Sequence, residues 1–153
     1  MNTQVDRITV TRRIRATPAR VYAFFTDSAL WSRWQGTSAG VDPRPGGLLR
    51  IAMGRDGAGM AEGRFVELDP YERIVFTWGW VSSPYSTMAP GSTMVTVDLR
   101  PDGDGTLVTL THDSLPENER EIHESGWIQY LGRLVTVAEG GDPGRDPSLG
   151  GPE

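Results

Sequence analysis

Two histidines are the side chains of this sequence best suited to proton chemistry near neutral pH. If His112 points into a cavity, its imidazole can anchor a ligand by a hydrogen bond or act as a general base, with Tyr85 or Tyr130 as a second proton-transfer group. A buried structural histidine is the alternative for His112. We interpret His123 as structural, because Glu119 precedes it by one helical turn. His112 is therefore the one catalytic candidate.

The rest of the composition excludes several reaction classes. There is no cysteine, and all 15 basic residues are arginine, so thiol nucleophiles, thiolate metal sites and Schiff-base lysines are absent. A metal site would have to combine both histidines with Asp113 and would lack a third imidazole, so we predict no metal and no other cofactor. No nucleophile elbow, phosphate-binding glycine loop or paired-carboxylate motif can be recognised. These absences favour a binding domain over an enzyme.

Charge and hydropathy limit the possible partners. The formal net charge is −5, whereas nucleic-acid binding needs clustered positive charge, so no nucleic-acid partner is expected. No apolar run approaches the length of a membrane span, and residues 1–10 lack the pattern of a signal peptide. We therefore expect a cytoplasmic protein without membrane insertion, present as a monomer or a weak homodimer.

The elements that must position these side chains follow from hydrophobic periodicity. Alternating apolar residues predict a strand over residues 7–14, and Thr17 followed by Pro18 is typical of a helix start. A short helix follows, and a second one begins at Asp27 or Ser28. Residues 36–45 are predicted to be a loop. Five further strands are predicted at residues 48–54, 61–69, 72–80, 93–101 and 106–112.

A long helix comes after the strands. Ser114 and Glu117 have the spacing of a capping box at its start, and Gly140 supplies a C-cap after Glu139. Helical spacing places five residues in one inward stripe, namely His123, Trp127, Tyr130, Leu134 and Val137. The upper half of this stripe is aromatic and polar-tipped, whereas the lower half is aliphatic. The lower half is predicted to be core.

Together these patterns predict an α+β domain in which the long helix covers an antiparallel sheet. Either the aromatic residues of the two layers close the domain, or they line a ligand cavity. The proposed cavity walls are Trp34, Phe76, Trp78, Trp80, Val97, His112, Trp127 and Tyr130. Gly126 and Gly132 either let the helix approach the sheet or leave room for the ligand. Glu62 and Arg64 face the cavity or form a solvated pair at its rim.

The order of elements and a set of motifs resemble a known family. The motifs are TPARVYAFFTD, LWSRW, PGG, AEGRFVELDPYERIVFTW and HESGW. Over roughly residues 5–138, they resemble the SRPBCC or START-like superfamily, in the AHSA-type branch named after activators of the heat-shock chaperone ATPase. The resemblance implies a helix-grip fold, in which a curved antiparallel sheet wraps the C-terminal helix and leaves a deep pocket, as in many bacterial single-domain members.

The resemblance also implies three possible functions. Members of the superfamily bind lipids, sterols, polyketides and other apolar molecules, and we expect this chain to bind a small hydrophobic or aromatic molecule in the pocket. The alternatives are a module that regulates a chaperone ATPase by protein contact, and a polyketide cyclase-like or hydrolase-like enzyme that uses His112. Residues 1–139 are expected to form the single domain. Residues 140–153 are expected to be a flexible tail rich in Gly, Pro and Asp.

Overall fold

The computed structural model describes residues 7–53, 59–83, 88–144 and 146. Along this part of the chain, one strand and two short helices precede seven strands and one long helix. The elements are β1 (Ile8–Ile14), α1 (Pro18–Ala23), α2 (Ser28–Trp31), β2 (Ser38–Val41), β3 (Leu48–Met53), β4 (Gly59–Asp69), β5 (Arg73–Trp78), β6 (Trp80–Ser82), β7 (Thr93–Asp102), β8 (Gly105–Asp113) and α3 (Glu117–Ala138).

The strands form one antiparallel sheet in the order β1-β8-β7-β5-β4-β3-β2, and β6 pairs with β4 beside this path. The first strand of the chain pairs with the last one, so that Ile8 lies opposite His112. On its other side, β8 pairs with β7, and Val95 lies opposite His112 there. An open antiparallel sheet with a long C-terminal helix confirms the predicted α+β, helix-grip architecture.

One face of the sheet is apolar because buried residues occupy every second position of its strands. The buried residues of this face include Ile8, Val10 and Ile14 in β1, Val95, Val97 and Leu99 in β7, and Val108, Leu110 and His112 in β8. The predicted stripe of α3 is also buried over its whole length. Each aliphatic side chain of this layer contributes about 1.5–3 kcal/mol by leaving water.

The two short helices also pack on the sheet, α1 against β7 and β8 and α2 against β2. Thr17 caps α1 as predicted, because its hydroxyl accepts the main-chain N–H of Arg20 at 3.2 Å. Asp27 caps α2 in the same way by accepting the N–H of Leu30 at 2.9 Å. These caps turn the chain so that Phe24 and Phe25, between the helices, are fully buried.

Two strand predictions were wrong in detail. Residues 38–41 form edge strand β2, where a loop was expected, because small residues pair with β3 through the main chain and show no apolar alternation. The predicted strand over residues 72–80 ends at Trp78. A Cβ on Gly79 would collide with the carbonyl of Ala89, and the chain resumes in β6 against β4. Trp80 is therefore half-buried and lies on a different strand from Trp78.

The predicted capping box at the start of α3 is also wrong. The N-cap residue is Pro116, and no side chain caps the helix. Ser114 has a φ of 66°, which is left-handed and differs from the extended conformation that a capping serine adopts. The helix therefore begins later than the capping box implies. At the other end, the helix ends at Ala138 with Glu139 as the C-cap residue, and the following Gly140 adopts a φ of 98°, close to the predicted end.

The start of the expected flexible tail makes specific contacts. The Arg133 guanidinium donates to the carbonyls of Pro143 and Gly144 at 3.2 and 3.0 Å. Asp146 is buried, with 3% of its surface exposed. Polar groups make these contacts, and the apolar composition of the segment gives no sign of them. Residues 145 and 147–153 lie outside the described part of the chain.

Candidate binding site between the sheet and α3

A chain of buried hydrogen bonds links α3 to the sheet. The indole N–H of Trp127 donates to Nδ1 of His112 at 3.0 Å, so Nδ1 carries no proton. The neutral ring therefore has its proton on Nε2 and donates to Oγ1 of Thr93, 2.8 Å away. The Thr93 hydroxyl donates in turn to the carbonyl of Trp78 at 2.7 Å. Each polar group in this series of hydrogen bonds has its partner within the protein.

This setting keeps His112 uncharged. Burial, with a smaller contribution from neighbouring His123, lowers the pKa of His112 to about 3. Both ring nitrogens are already engaged, and a neutral ring with both nitrogens in use is the arrangement of a structural histidine. The geometry thus favours the structural alternative for His112 over the general base.

His123 lies beside this series of hydrogen bonds, and both of its ring nitrogens also have hydrogen-bond partners. Its Nδ1 lies 2.9 Å from the main-chain carbonyl of Glu119, and its Nε2 accepts the indole N–H of Trp80 at 3.3 Å. The two imidazole rings meet at right angles, with centroids 5.4 Å apart. Burial lowers the pKa of His123, although the carbonyl and carboxylate of Glu119 oppose this effect. His123 is therefore a neutral link between β6 and α3.

Aromatic rings continue from these histidines across the interior. The rings of Trp78 and Trp127 join sheet and helix, with centroids 5.3 Å apart. Phe76 lies 5.8 Å from Trp78 and 5.7 Å from Trp31, which stacks on Trp34 at 5.3 Å. The indole N–H of Trp34 donates to the carbonyl of Phe24, and that of Trp31 donates to the Gln35 side chain. The indole N–H groups of Trp31, Trp34, Trp80 and Trp127 are thus paired within the protein, which leaves their rings as apolar surface.

Most residues predicted to wall a cavity lie in this layer. Seven of them are buried between the sheet and the helices, namely Trp34, Phe76, Trp78, Val97, His112, Trp127 and Tyr130. Trp80 stands at the edge of the layer and is half-buried. Tyr85 lies outside the described residues.

Glu62 and Arg64 lie on the outer side of β4. Glu62 pairs with Arg50 at 2.9 Å, and the guanidinium of Arg64 donates to the carbonyl of Gly46 at 3.0 Å. Both side chains therefore lie on the solvated side, as in the second predicted alternative, although each of them bonds to a different group and not to the other. The buried positions of β4 are the intervening ones, Ala61, Gly63 and Phe65.

Sequence reasoning missed several members of the layer. Trp31 was assigned to a helix but to no wall, although Trp34 follows it by one turn and its main-chain N–H donates to the carbonyl of Trp31 at 3.1 Å. Thr93 was missed as well, although it has the same parity as Val95 and Val97 on β7. The burial of Asp146 could not be recognised from the sequence, because an isolated acidic residue in a Gly-rich and Pro-rich segment is ordinarily exposed.

The described residues offer few other reactive features. Glu119 Oε1 and Arg120 Nε are buried without a hydrogen-bond partner within the described part of the chain. Over the same residues, His, Asp and Glu side chains nowhere gather in a group of three that could hold a metal ion. Asp113 instead pairs with Arg7 at 2.7 Å. No helix in the described part of the chain is long and apolar enough to cross a membrane.

The sequence and the fold can now be compared with known proteins. Residues 15–139 match the family described as "Activator of Hsp90 ATPase homolog 1-like protein". The chain belongs to this family. No curated protein matches the sequence. An AHSA1-like protein from Rhizobium etli, solved by NMR, is 41% identical, with a TM-score of 0.68 over 96% of this chain and 91% of its own.

Two more distant structures share the fold of this family. An HSP90 activator from Plasmodium falciparum is 23% identical, with a TM-score of 0.69 over 86% of this chain and 94% of its own. DynU16, a protein of the dynemicin biosynthetic locus, is 22% identical, with a TM-score of 0.77 over 92% of this chain. The alignment spans 50% of the DynU16 chain, so this chain matches about half of that protein. At these identities, the likeness concerns the fold alone.

Proposed function

We propose that this AHSA1-family protein binds a small apolar or aromatic molecule between the sheet and α3. The observation that supports this proposal is the aromatic layer in which Trp78 of the sheet meets Trp127 of the helix. The indole N–H groups of Trp31, Trp34, Trp80 and Trp127 are paired internally, and the two histidines are neutral at physiological pH because burial lowers their pKa values. Such a layer offers contacts to an apolar ligand without charge to desolvate.

The entry of the ligand is proposed at the Trp80 edge of this layer. Trp80 is half-buried, and its ring contacts Trp78 with centroids 6.0 Å apart. A rotation of Trp80 would break its 3.3 Å hydrogen bond to His123 and its contacts with the rings of Trp78 and His123. Because an indole is a large and rigid contact surface, such a side chain can close over a bound ring system.

Tryptophan fluorescence tests the proposal directly. Titration with a panel of apolar aromatic compounds should give a saturable change in emission, and native mass spectrometry of the same mixtures should show one bound molecule per chain. Native mass spectrometry also reports whether the protein is a monomer or a dimer. Absence of a saturable response across the whole panel would contradict the proposal.

A pair of valine variants locates the site. Val97→Phe adds a ring to the buried face of β7, whereas Val66→Phe adds the same ring at a position with 49% of its surface exposed. Binding should weaken at least about tenfold in the first variant and stay unchanged in the second, because only the first fills internal space. Near-ultraviolet circular dichroism verifies that both variants keep the packed fold.

The family membership supports a second candidate, regulation of a chaperone ATPase through protein contact. This function would use the outer surface of the domain and would not need a cavity. Adding the protein to an Hsp90-type chaperone should then raise or lower its ATPase rate, with the effect saturating at a defined stoichiometry. An unchanged rate together with no association in gel filtration would exclude this candidate.

A further inference from the structure

A carboxylate from the C-terminal segment lies buried beside α3. Oδ1 of Asp146 accepts the hydroxyl proton of Tyr130 at 2.9 Å, and Oδ2 accepts the main-chain N–H of Gly36 at 2.7 Å. All three groups are buried in these contacts, and Asp146 exposes 3% of its surface. Removing a carboxylate from water is costly unless donors are already directed at its oxygens. Tyr130 and Gly36 supply such donors, one for each oxygen.

The donors belong to the domain, whereas the carboxylate comes from the segment that follows it. Tyr130 lies on the buried stripe of α3, and Gly36 follows the buried residues Trp34 and Gln35. A cation is also near the segment, because Arg133 of α3 donates to the carbonyls of Pro143 and Gly144. The site thus combines a hydroxyl and a main-chain N–H, one directed at each oxygen, which suits a carboxylate.

The described part of the segment that precedes Asp146 lies mostly at the surface. Residues 141, 142 and 144 are exposed, and Pro143 is only partly buried. Its contacts include the hydrogen bonds from Arg133 and those of Asp146, and water can replace the exposed ones if the segment moves away. The donors of Tyr130 and Gly36 are buried, however, and would then require another acceptor.

This site adjoins the aromatic layer. Tyr130 lies one helical turn after Trp127 on the same stripe, and the carbonyl of Trp34 accepts a hydrogen bond from Arg133 at 3.0 Å. We propose that Tyr130 and Gly36 form a carboxylate-binding site, that Asp146 fills this site in the free protein, and that an apolar molecule bearing a carboxylate displaces it. The proposal rests on the proposed ligand binding and narrows its ligand class to apolar carboxylic acids.

A matched pair of probes tests the proposal. Decanoate and decanol share the same alkyl length, and only decanoate carries the anion. Calorimetric titration of both into the wild type and into Asp146→Ala should show that the variant binds decanoate about tenfold more tightly, because one charged competitor is removed. Decanol should bind both proteins with equal affinity. Asp146→Asn retains the packing of the side chain and should give a smaller gain in the same direction.

Two controls isolate the site. Tyr130→Phe in the Asp146→Ala background should abolish the gain for decanoate, because the hydroxyl donor is lost. Glu124→Ala removes an equal charge from an exposed position of α3 and should leave both affinities unchanged. If decanol binds but Asp146→Ala brings no gain for decanoate, the carboxylate site is overturned while apolar binding stands. If neither probe binds to any folded variant, the carboxylate site is overturned, whereas the proposed function is decided by the fluorescence titration with the aromatic panel.

Discussion

The indole N–H of Trp127 on α3 donates a 3.0 Å hydrogen bond to Nδ1 of His112 on β8. This contact gives the helix–sheet layer a directional element that apolar packing alone lacks. It also selects one tautomer of His112 and thereby fixes the direction of the hydrogen bonds to Thr93 and Trp78. The buried polar residues of the layer consequently specify how the helix sits on the sheet.

Replacement of Trp127 by phenylalanine should destabilise the protein. The variant leaves Nδ1 of His112 buried without its donor, which costs about 1–3 kcal/mol, and the smaller ring adds a packing loss. Urea unfolding followed by circular dichroism measures the change. Trp80→Phe is the matched control, because Trp80 is half-buried and its bond to His123 is longer, at 3.3 Å. Equal losses in the two variants would contradict the proposed role of the Trp127 bond.

Stability should fall as the pH is lowered below about 6.5. Burial lowers the pKa of His112 to about 3 and also lowers that of His123, so between the folded and unfolded pKa values the unfolded chain binds more protons. The stabilisation is therefore fully present above about pH 6.5 and is lost progressively towards pH 3. The slope for each histidine reaches at most about 1.4 kcal/mol per pH unit.

Urea unfolding at pH 7.5, 6.0 and 5.0 checks this dependence, since most carboxylates stay ionised in that range. His112→Asn keeps an acceptor for the Trp127 N–H but removes the titrating group, so its free energy of unfolding should vary less with pH than that of the wild type. Parallel profiles for the two proteins would show that His112 does not cause the loss.

Sequence periodicity predicted most of this fold because the apolar face of the sheet is built from alternating residues. The stripe from His123 to Val137 and the faces of β7 and β8 followed directly from it. It failed for β2, where the main chain alone makes the pairing, and at Gly79, where a close approach to Ala89 ends β5. Neither feature depends on hydrophobic side chains, so a hydrophobic pattern could not show it.

The candidate site was predictable only in its apolar part. Trp78 and Trp127 could be placed on facing layers from their positions alone. The bond between Trp127 and His112 required the relative height of α3 on the sheet, which tertiary packing determines. The hydrogen bond between Asp146 and Tyr130 could not be predicted either, because it joins residues from separate segments through a polar contact.

Ser114 provides a test of how α3 begins. If this serine capped the helix, Ser114→Ala would cost about 1 kcal/mol. The structure shows an exposed Ser114 with a φ of 66° and no cap bond, so Ser114→Ala should be close to neutral. Ser114→Gly should stabilise the protein by up to about 1 kcal/mol, since glycine adopts a left-handed conformation without a steric penalty. Thermal and urea unfolding of the two variants distinguish these outcomes.

The glycines of α3 should be replaceable without loss of stability. A Cβ added to Gly126 or Gly132 meets no atom within 4 Å, so neither glycine is required for close approach to the sheet. Both are half-buried positions in a helix interior. Alanine should therefore stabilise the protein by about 0.5–1 kcal/mol at each site, because glycine loses more backbone entropy on folding. Urea unfolding of Gly126→Ala and Gly132→Ala measures this gain.

Gly63 of β4 is the opposite case and serves as the control. A Cβ at this position would overlap the main-chain carbonyl of Thr77 on the neighbouring strand, so Gly63→Ala must displace one strand and should be clearly destabilising.

The variants Gly126→Ala and Gly132→Ala also separate the two explanations for the glycines of α3. If the space beside Gly126 belongs to a bound ligand, Gly126→Ala will stabilise the free protein yet weaken binding of the apolar probes. If that space belongs to solvent, stability will rise and affinity will not change.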